Sequence, residues 1–113
     1  MIEKQARFAR SVALLIQHAE KLGYQVTFGE AYRTSEQAAI YAKRGTGVLN
    51  SLHTERLAID LNLYRDGVWL MRSEDHTALG QWWESLGPEY KWGGRFPKPD
   101  GNHYSLSPDG KRA

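Results

Sequence analysis

The chain has 113 residues, of which 41% are hydrophobic and 25% are charged. This composition is that of an ordinary globular protein, and we expect one domain over residues 1–113. The net charge of +2 is too small to predict a nucleic-acid-binding protein. Because the sequence has no cysteine, disulfide frameworks, thiolate metal sites and thiol nucleophiles are excluded, and any metal must be bound by histidine and carboxylate.

The sequence also argues against membrane insertion. No stretch approaches the ~18 apolar residues that a membrane-spanning helix requires. Charged residues interrupt the first ten positions, at Glu3, Lys4, Arg7 and Arg10, which does not fit the apolar core of a signal peptide. We therefore expect a protein that is made in the cytoplasm without a signal peptide. We also expect it to be a monomer.

Three segments have the patterns of helices. In residues 3–22 apolar side chains recur every three or four positions, as on the buried face of an amphipathic helix. Thr34 and Gln37 form a capping-box pattern in front of a helix over residues 35–44. The same apolar spacing predicts a third helix over residues 74–86, which a glycine and a proline terminate.

Four segments have the patterns of strands. Residues 57–64 alternate strictly between aliphatic side chains and the set Ala, Asp, Asn and Tyr, which predicts a strand with one apolar and one polar face. The Asp66-Gly67 pair predicts a tight hairpin turn into a strand over residues 68–70. Residues 24–28 and 103–106 are expected to form shorter strands.

Two segments rich in glycine or proline, residues 45–50 and residues 90–101, are expected to be irregular. The remaining patterns predict a small α+β fold. About three helices would pack on the aliphatic face of a mostly antiparallel sheet of about four strands. The opposite, polar face of this sheet is where we expect a functional site.

Four polar side chains lack an obvious structural role, namely His53, Asp60, Asp100 and His103. An ionised carboxylate in the middle of a strand is costly unless it is paired, solvated or bound to a metal, which draws attention to Asp60. A straight strand would separate His53 from Asp60 by ~23 Å. If both bind one ion, the chain must turn within residues 54–56, and Gly101 must turn the Asp100 carboxylate towards His103.

Two histidines and one carboxylate are a sufficient ligand set for catalytic zinc, because the fourth position then stays open for water. The second carboxylate, Asp100, could accept a proton from that water and pass it to a leaving amine. These residue types indicate a metal-dependent hydrolase, although spacing alone also allows an accidental combination.

Three segments of the chain have recognisable signatures. Residues 51–60 resemble the signature S-x-H-x-x-G-x-A-x-D. Residues 92–94 and 100–104 are similar to the signatures W-G-G and D-x-x-H-[FY], and residues 31–37 are similar to an upstream Tyr-Arg-Ser/Thr segment that ends in glutamine. Together these segments resemble the zinc peptidases that cut peptidoglycan peptides, namely the VanY-like D-alanyl-D-alanine carboxypeptidases and the L-alanyl-D-glutamate endopeptidases of phage endolysins.

The resemblance implies a role for each matching residue. His53, Asp60 and His103 would bind Zn²⁺. Asp100 matches the catalytic acid/base, for which the endolysin branch often has aspartate where the carboxypeptidases have glutamate. Arg33 matches the arginine that holds a substrate carbonyl or carboxylate and stabilises the oxyanion, a role suited to a fixed guanidinium beside developing negative charge.

Four further positions concern the surroundings of this site. Gln37, Ser51 and Tyr104 match positions at which substrate binding is expected, although capping, loop formation and packing would also explain them. Arg56 stands where the signature has glycine. If the turn requires a positive φ at this position, arginine has a steric cost that glycine avoids.

The resemblance implies a peptidase that acts on peptidoglycan stem peptides in the bacterial cell wall, in the periplasm, after holin-mediated release or lysis. We expect the L-alanyl-D-glutamate bond as the substrate, with a D-alanyl-D-alanine carboxypeptidase as the close alternative. A non-catalytic, zinc-stabilised peptidoglycan-binding domain is a second alternative, which the replacement at Arg56 suggests. A metal-dependent nuclease that uses His53, His103 and Asn102 is a third.

Overall fold

The computed structural model describes residues 1–45 and 51–108. Most of the loop predicted over residues 45–50 therefore lies outside the described residues. In chain order the regular elements are α1 (Ile2–Lys21), β1 (Gln25–Phe28), α2 (Ser35–Lys43), β2 (Ala58–Arg65), β3 (Val68–Leu70), α3 (Thr77–Glu84), β4 (Tyr90–Trp92) and β5 (His103–Leu106). Short 3₁₀ turns occupy Leu52–Glu55, Ser73–His76 and Gly93–Arg95. Within the described part of the chain, no helix is both long and apolar enough to cross a membrane.

The sheet is antiparallel and is built around β2. Strand β1 pairs with one edge of β2. The other edge is shared, since β5 pairs with residues 58–60 and β3 with residues 63–65. Strand β4 pairs with the outer edge of β5. The β2–β3 connection is the predicted hairpin, and its two turn residues, Asp66 and Gly67, have φ angles of 51° and 77°, as the tight turns of hairpins require.

The core lies between the helices and the aliphatic face of the sheet. Helix α1 buries most of its predicted apolar stripe, whereas Leu22 at its end is 41% exposed. Helix α3 adds Trp83, whose indole Nε1 donates to the Ser105 carbonyl at 3.0 Å. The residues that form the centre of this core are Phe8, Val12, Leu15, Ala19, Leu61, Leu63, Leu79 and Trp83. The α+β class, the three helices and the antiparallel sheet are confirmed.

Two predictions of local structure were wrong. Residues 90–92 form β4, although the glycine- and proline-rich segment was expected to be irregular. A strand of three residues is too short to show a period, and its pairing with β5 decides its conformation. The third helix is also shorter than predicted, because Ser73–His76 forms a 3₁₀ turn and α3 ends at Glu84.

The turn that precedes β2 reverses the chain as the spacing of His53 and Asp60 requires. The backbone N–H of Leu57 donates to the carbonyl of Leu52 at 3.0 Å, and that of Arg56 donates to the carbonyl of His53 at 3.3 Å. This is the Schellman pattern, in which the residue after the last helical turn is left-handed. Arg56 occupies that position, with a φ of 58° and a ψ of 35°.

Arg56 therefore adopts the conformation that glycine accommodates most readily. Its guanidinium carbon lies 3.9 Å from the centroid of the Tyr32 ring. A cation–π contact at an exposed position contributes about 0.5–1 kcal/mol, whereas the left-handed conformation costs a non-glycine residue about 1–2 kcal/mol. The contact with Tyr32 thus offsets part of the strain in this turn.

We predict that Arg56→Gly leaves the free energy of unfolding nearly unchanged or slightly raised, because relief of strain compensates for the lost contact. Arg56→Val should lower it by at least about 1 kcal/mol, since a β-branched residue is strongly disfavoured at positive φ. Denaturant-induced unfolding measures both effects. Arg10→Val, at an exposed position of α1, is the matched control and should cost about 0.5 kcal/mol or less. A larger loss for Arg56→Gly than for Arg56→Val would contradict this account.

Candidate metal centre

The centre begins with the register of β2 and β5. Asp60 lies directly opposite His103 in this antiparallel pair, so both side chains project from the same face of the sheet. His103 Nδ1 is 3.5 Å from Asp60 Oδ1. The side chains come from positions 43 residues apart in the sequence, and strand pairing alone brings them together.

His53, the third residue of the centre, lies in the 3₁₀ turn before β2. Ser51 caps this turn, and its Oγ accepts a hydrogen bond from the backbone N–H of His53 at 3.2 Å. The turn points the imidazole at the sheet, where His53 Nε2 lies 3.3 Å from Asp60 Oδ1. The sequence-based prediction that the chain turns within residues 54–56 is confirmed.

The hydrogen bond of His53 Nδ1 determines the protonation state of Nε2, the ring nitrogen that faces Asp60. Nδ1 lies 2.9 Å from the carbonyl oxygen of Ala31, which can only accept, so Nδ1 carries a proton. In the neutral ring the lone pair of Nε2 then faces the carboxylate. Two electron-rich atoms in contact repel each other unless a cation lies between them, and this arrangement is typical of a metal-ligating histidine.

The donor set fits a zinc ion. One ligand atom from each of His53, Asp60 and His103 lies within 4.8 Å of the others. Atoms about 2.1 Å from a tetrahedral zinc ion are roughly 3.4 Å apart, close to the 3.3 and 3.5 Å that separate Asp60 Oδ1 from the two rings. Among the described residues, Asp60 Oδ1 and His103 Nε2 are buried without a hydrogen-bond partner. A cation would satisfy the carboxylate oxygen, which is otherwise costly to bury.

The electrostatics of the cluster keep the Asp60 carboxylate ionised, which is the charge state that binds a cation. Burial opposes the ionised form of Asp60, but the two facing imidazoles outweigh burial and lower the pKa of Asp60 to about 2. Burial also lowers the pKa of His53, yet its contacts with Asp60 and the Ala31 carbonyl leave this pKa above its usual value. Asp60 is therefore an anion at any physiological pH.

Asp100 lies at the turn that leads into β5. The backbone N–H of His103 donates to the Asp100 carbonyl at 3.1 Å, and the N–H of Asp100 donates to the Gly93 carbonyl at 2.9 Å. A methyl group on Gly93 would lie 2.0 Å from the Asp100 carbonyl oxygen, and one on Gly101 would lie 2.4 Å from the Ser73 backbone. Burial raises the pKa of Asp100, and the neighbouring Asp60 carboxylate raises it further.

Arg33 is fixed beside the cluster by contacts that the sequence pattern did not reveal. Its backbone N–H donates to the His53 carbonyl at 3.1 Å. Its Nε donates to Glu30 Oε1 at 2.8 Å, and Nη2 donates to the same oxygen. The guanidinium carbon lies 4.8 Å from the centroid of the Tyr41 ring. Since Glu30 takes two of the five N–H donors, the others remain to bind a further acceptor.

Three other residues named from the sequence have local structural contacts. Gln37 donates its backbone N–H to Thr34 Oγ1 at 3.1 Å, so Thr34 is the N-cap of α2 as predicted. Ser51 holds the turn that carries His53. Tyr104 is 0% exposed, and a substrate-binding role does not fit a side chain without accessible surface.

Sequence reasoning missed two groups around the centre. Glu30 orients Arg33 and also lies 3.9 Å from His53 Nδ1. The sequence feature that could have indicated this contact is the acidic residue three positions before Arg33. The buried His76 lies with Nδ1 2.7 Å from the Tyr104 hydroxyl, and burial lowers the pKa of His76 to about 4. No pattern along the chain pointed to this pair, because it forms only through tertiary packing.

Comparisons with known proteins agree with this fold. The L-Ala D-Glu endopeptidase ChiX of Serratia marcescens superposes with a TM-score of 0.72 at 19% identity, covering 90% of this chain and 79% of that one. The vancomycin resistance D,D-pentapeptidase VanY from a VanB-type cassette, solved as a mutant in complex with Zn(II), gives a TM-score of 0.58 at 20% identity, covering 88% and 70%. No curated protein matches the sequence.

A protein-family model described as D-alanyl-D-alanine carboxypeptidase matches residues 44–106. The matched region contains the three members of the candidate metal centre and Asp100. It covers more than half of the chain, and the chain therefore belongs to this family of VanY-like zinc peptidases.

Proposed function

We propose that the protein is a zinc-dependent peptidase of one domain that hydrolyses an amide bond of a peptidoglycan stem peptide. The observation that carries this proposal is the convergence of His53, Asp60 and His103, whose ligand atoms lie within 4.8 Å of one another. Family membership supports a peptidase that acts on peptidoglycan peptides. The wall of a bacterium is then its place of action.

His53, Asp60 and His103 are the residues that would hold the zinc ion. When bound, zinc supplies Lewis-acid chemistry, since it lowers the pKa of a water and polarises a carbonyl. The Ala31 carbonyl keeps the His53 ring in the orientation that binding requires. The protein thus arranges its ligands before the ion arrives, which reduces the cost of ordering them on binding.

Asp100 acts as the general base and then as the general acid. Its carboxylate accepts a proton from the attacking water and delivers it to the amine nitrogen of the departing residue. The raised pKa of Asp100, which burial and the Asp60 charge cause, makes the protonated form accessible and so helps the second transfer. Two backbone hydrogen bonds, from His103 to the Asp100 carbonyl and from Asp100 to the Gly93 carbonyl, fix the turn that carries this residue.

Arg33 binds the substrate oxygen that becomes negatively charged. Glu30 accepts from Nε and Nη2, so the guanidinium plane cannot rotate freely, and its remaining donors are fixed in direction. Donors oriented in advance stabilise a developing oxyanion better than mobile ones. Glu30 therefore has a positioning role, and Arg33 contacts the substrate.

We assign the L-alanyl-D-glutamate bond as the substrate. Support comes from the aspartate at position 100, typical of the endolysin branch, and from the fold shared with the ChiX endopeptidase. The D-alanyl-D-alanine bond is the second candidate, because the matching family model carries the description of a D-alanyl-D-alanine carboxypeptidase.

We predict that the purified protein binds one zinc ion per chain and that Asp60→Asn abolishes this binding. This substitution removes the negative charge of the only carboxylate in the proposed ligand set and leaves two neutral imidazoles to bind the ion. Zinc at a hundred times its Kd should stabilise the parent by about 2.7 kcal/mol, which metal analysis and thermal unfolding can measure. Asp66→Asn, in the exposed hairpin turn, should keep the parental zinc response. Unchanged zinc content in Asp60→Asn would refute the proposed ligand set.

We predict that Asp100→Ala lowers kcat by a factor of ~10²–10⁴, the usual contribution of a general acid or base, while zinc content stays at the parental level. Digestion of purified cell walls measures the rate, and Asp66→Asn again serves as the control. Equal digestion by Asp100→Ala and parent would overturn the proposed proton transfer.

Mass spectrometry of the digested muropeptides identifies the bond in the same experiment. Cleavage between L-alanine and D-glutamate releases the rest of the stem peptide, whereas a carboxypeptidase removes one terminal alanine. A protein that binds walls and zinc but releases no soluble product would instead be the non-catalytic binding domain.

A further inference from the structure

We propose that Trp69, with Tyr64 beside it, is a stacking platform for a sugar ring of the peptidoglycan glycan strand. The substrate would then be a stem peptide that is still attached to its sugar. This inference rests on the proposed function, because it assigns the glycan-bound end of the substrate to the same site.

The platform lies on the face of the sheet that carries the candidate metal centre. Asp60, Asn62 and Tyr64 alternate along β2 and so share one face. Trp69 lies opposite Tyr64 in the β2–β3 register, and the two rings are stacked with centroids 6.4 Å apart and an interplanar angle of 25°. At ~3.3 Å per residue, the Tyr64 backbone is ~13 Å along β2 from that of Asp60.

Polar groups surround these rings on the side towards the centre. Asn62 Nδ2 donates to Thr27 Oγ1 at 3.3 Å, and Thr27 Oγ1 lies 3.5 Å from the Tyr64 hydroxyl. Trp69 nevertheless remains 49% exposed. A sugar presents an apolar C–H face as well as hydroxyl groups, and an accessible aromatic ring bordered by amide and hydroxyl groups complements both.

A cavity connects the platform with the proposed catalytic acid/base. Its volume is about 250 Å³, and Trp69 and Asp100 both line it. Polar residues form much of the wall between them, namely Asn62, Arg72, Ser73 and Asn102. Pockets that enclose drug-sized ligands have volumes of ~300–1,000 Å³, so this cavity can hold only a short piece of substrate.

The test compares one stem peptide with and without its N-acetylmuramyl group, using the zinc-loaded protein. Trp69→Leu should lower kcat/KM for the sugar-linked peptide roughly 2- to 10-fold, the effect of one lost aromatic stacking contact, and leave kcat/KM for the free peptide unchanged. Trp69→Phe keeps an aromatic face and should restore most of the difference. Phe28→Leu, at an exposed phenylalanine of β1, is the matched control and should alter neither value.

A binding measurement separates this inference from the proposed function. A soluble β-1,4-linked N-acetylglucosamine oligomer should shift the indole N–H resonance of Trp69 in the zinc-loaded protein, whether or not either peptide is hydrolysed. Binding without hydrolysis would refute the peptidase and retain the platform. An equal effect of Trp69→Leu on both peptides, no effect on either, or an unperturbed Trp69 resonance would overturn the platform while leaving the peptidase intact.

Discussion

The site depends on the register in which β5 pairs with β2. Asp60 and His103 are directly opposite each other, and a slip of one residue would turn one of them to the other face of the sheet. The buried aliphatic side chains of the neighbouring positions oppose such a slip. Leu57 and Leu106 are both 0% exposed, and the Leu106 N–H donates to the Leu57 carbonyl at 2.8 Å. Burial of apolar groups therefore sets the position of the polar ones.

A single residue after β1 connects the parts of the site that the β2–β5 pair does not hold. The Glu30 carbonyl accepts from the Asp60 N–H at 2.8 Å, and its carboxylate binds the Arg33 guanidinium. The same carboxylate is 3.9 Å from His53 Nδ1. Glu30 thus anchors the proposed oxyanion-binding arginine to one edge of β2. The other edge pairs with β5, which carries His103, so residues at both edges of β2 contribute to one centre.

Sequence patterns were most informative where side-chain periodicity and local geometry determine structure. The alternation in residues 57–64 predicted β2 and the face on which Asp60 lies, and the separation of His53 from Asp60 predicted the turn between them. Patterns could not show that Glu30 reaches Arg33, that Tyr104 is enclosed with His76, or that residues 90–92 form a strand. Each of these depends on groups that are distant in sequence, and only the packed tertiary structure brings such groups into contact.

The close packing of two glycines has a consequence for how this centre tolerates change. Gly93 and Gly101 leave no space for a methyl group beside the Asp100 turn, and the atoms that a methyl on Gly93 would meet belong to both Asp100 and His103. The backbone of Asp100, the proposed proton-transferring residue, and the side chain of His103 are therefore packed against the same glycine. A larger side chain at position 93 would displace both residues at once, so the proposed ion binding and proton transfer could not be altered independently at this position.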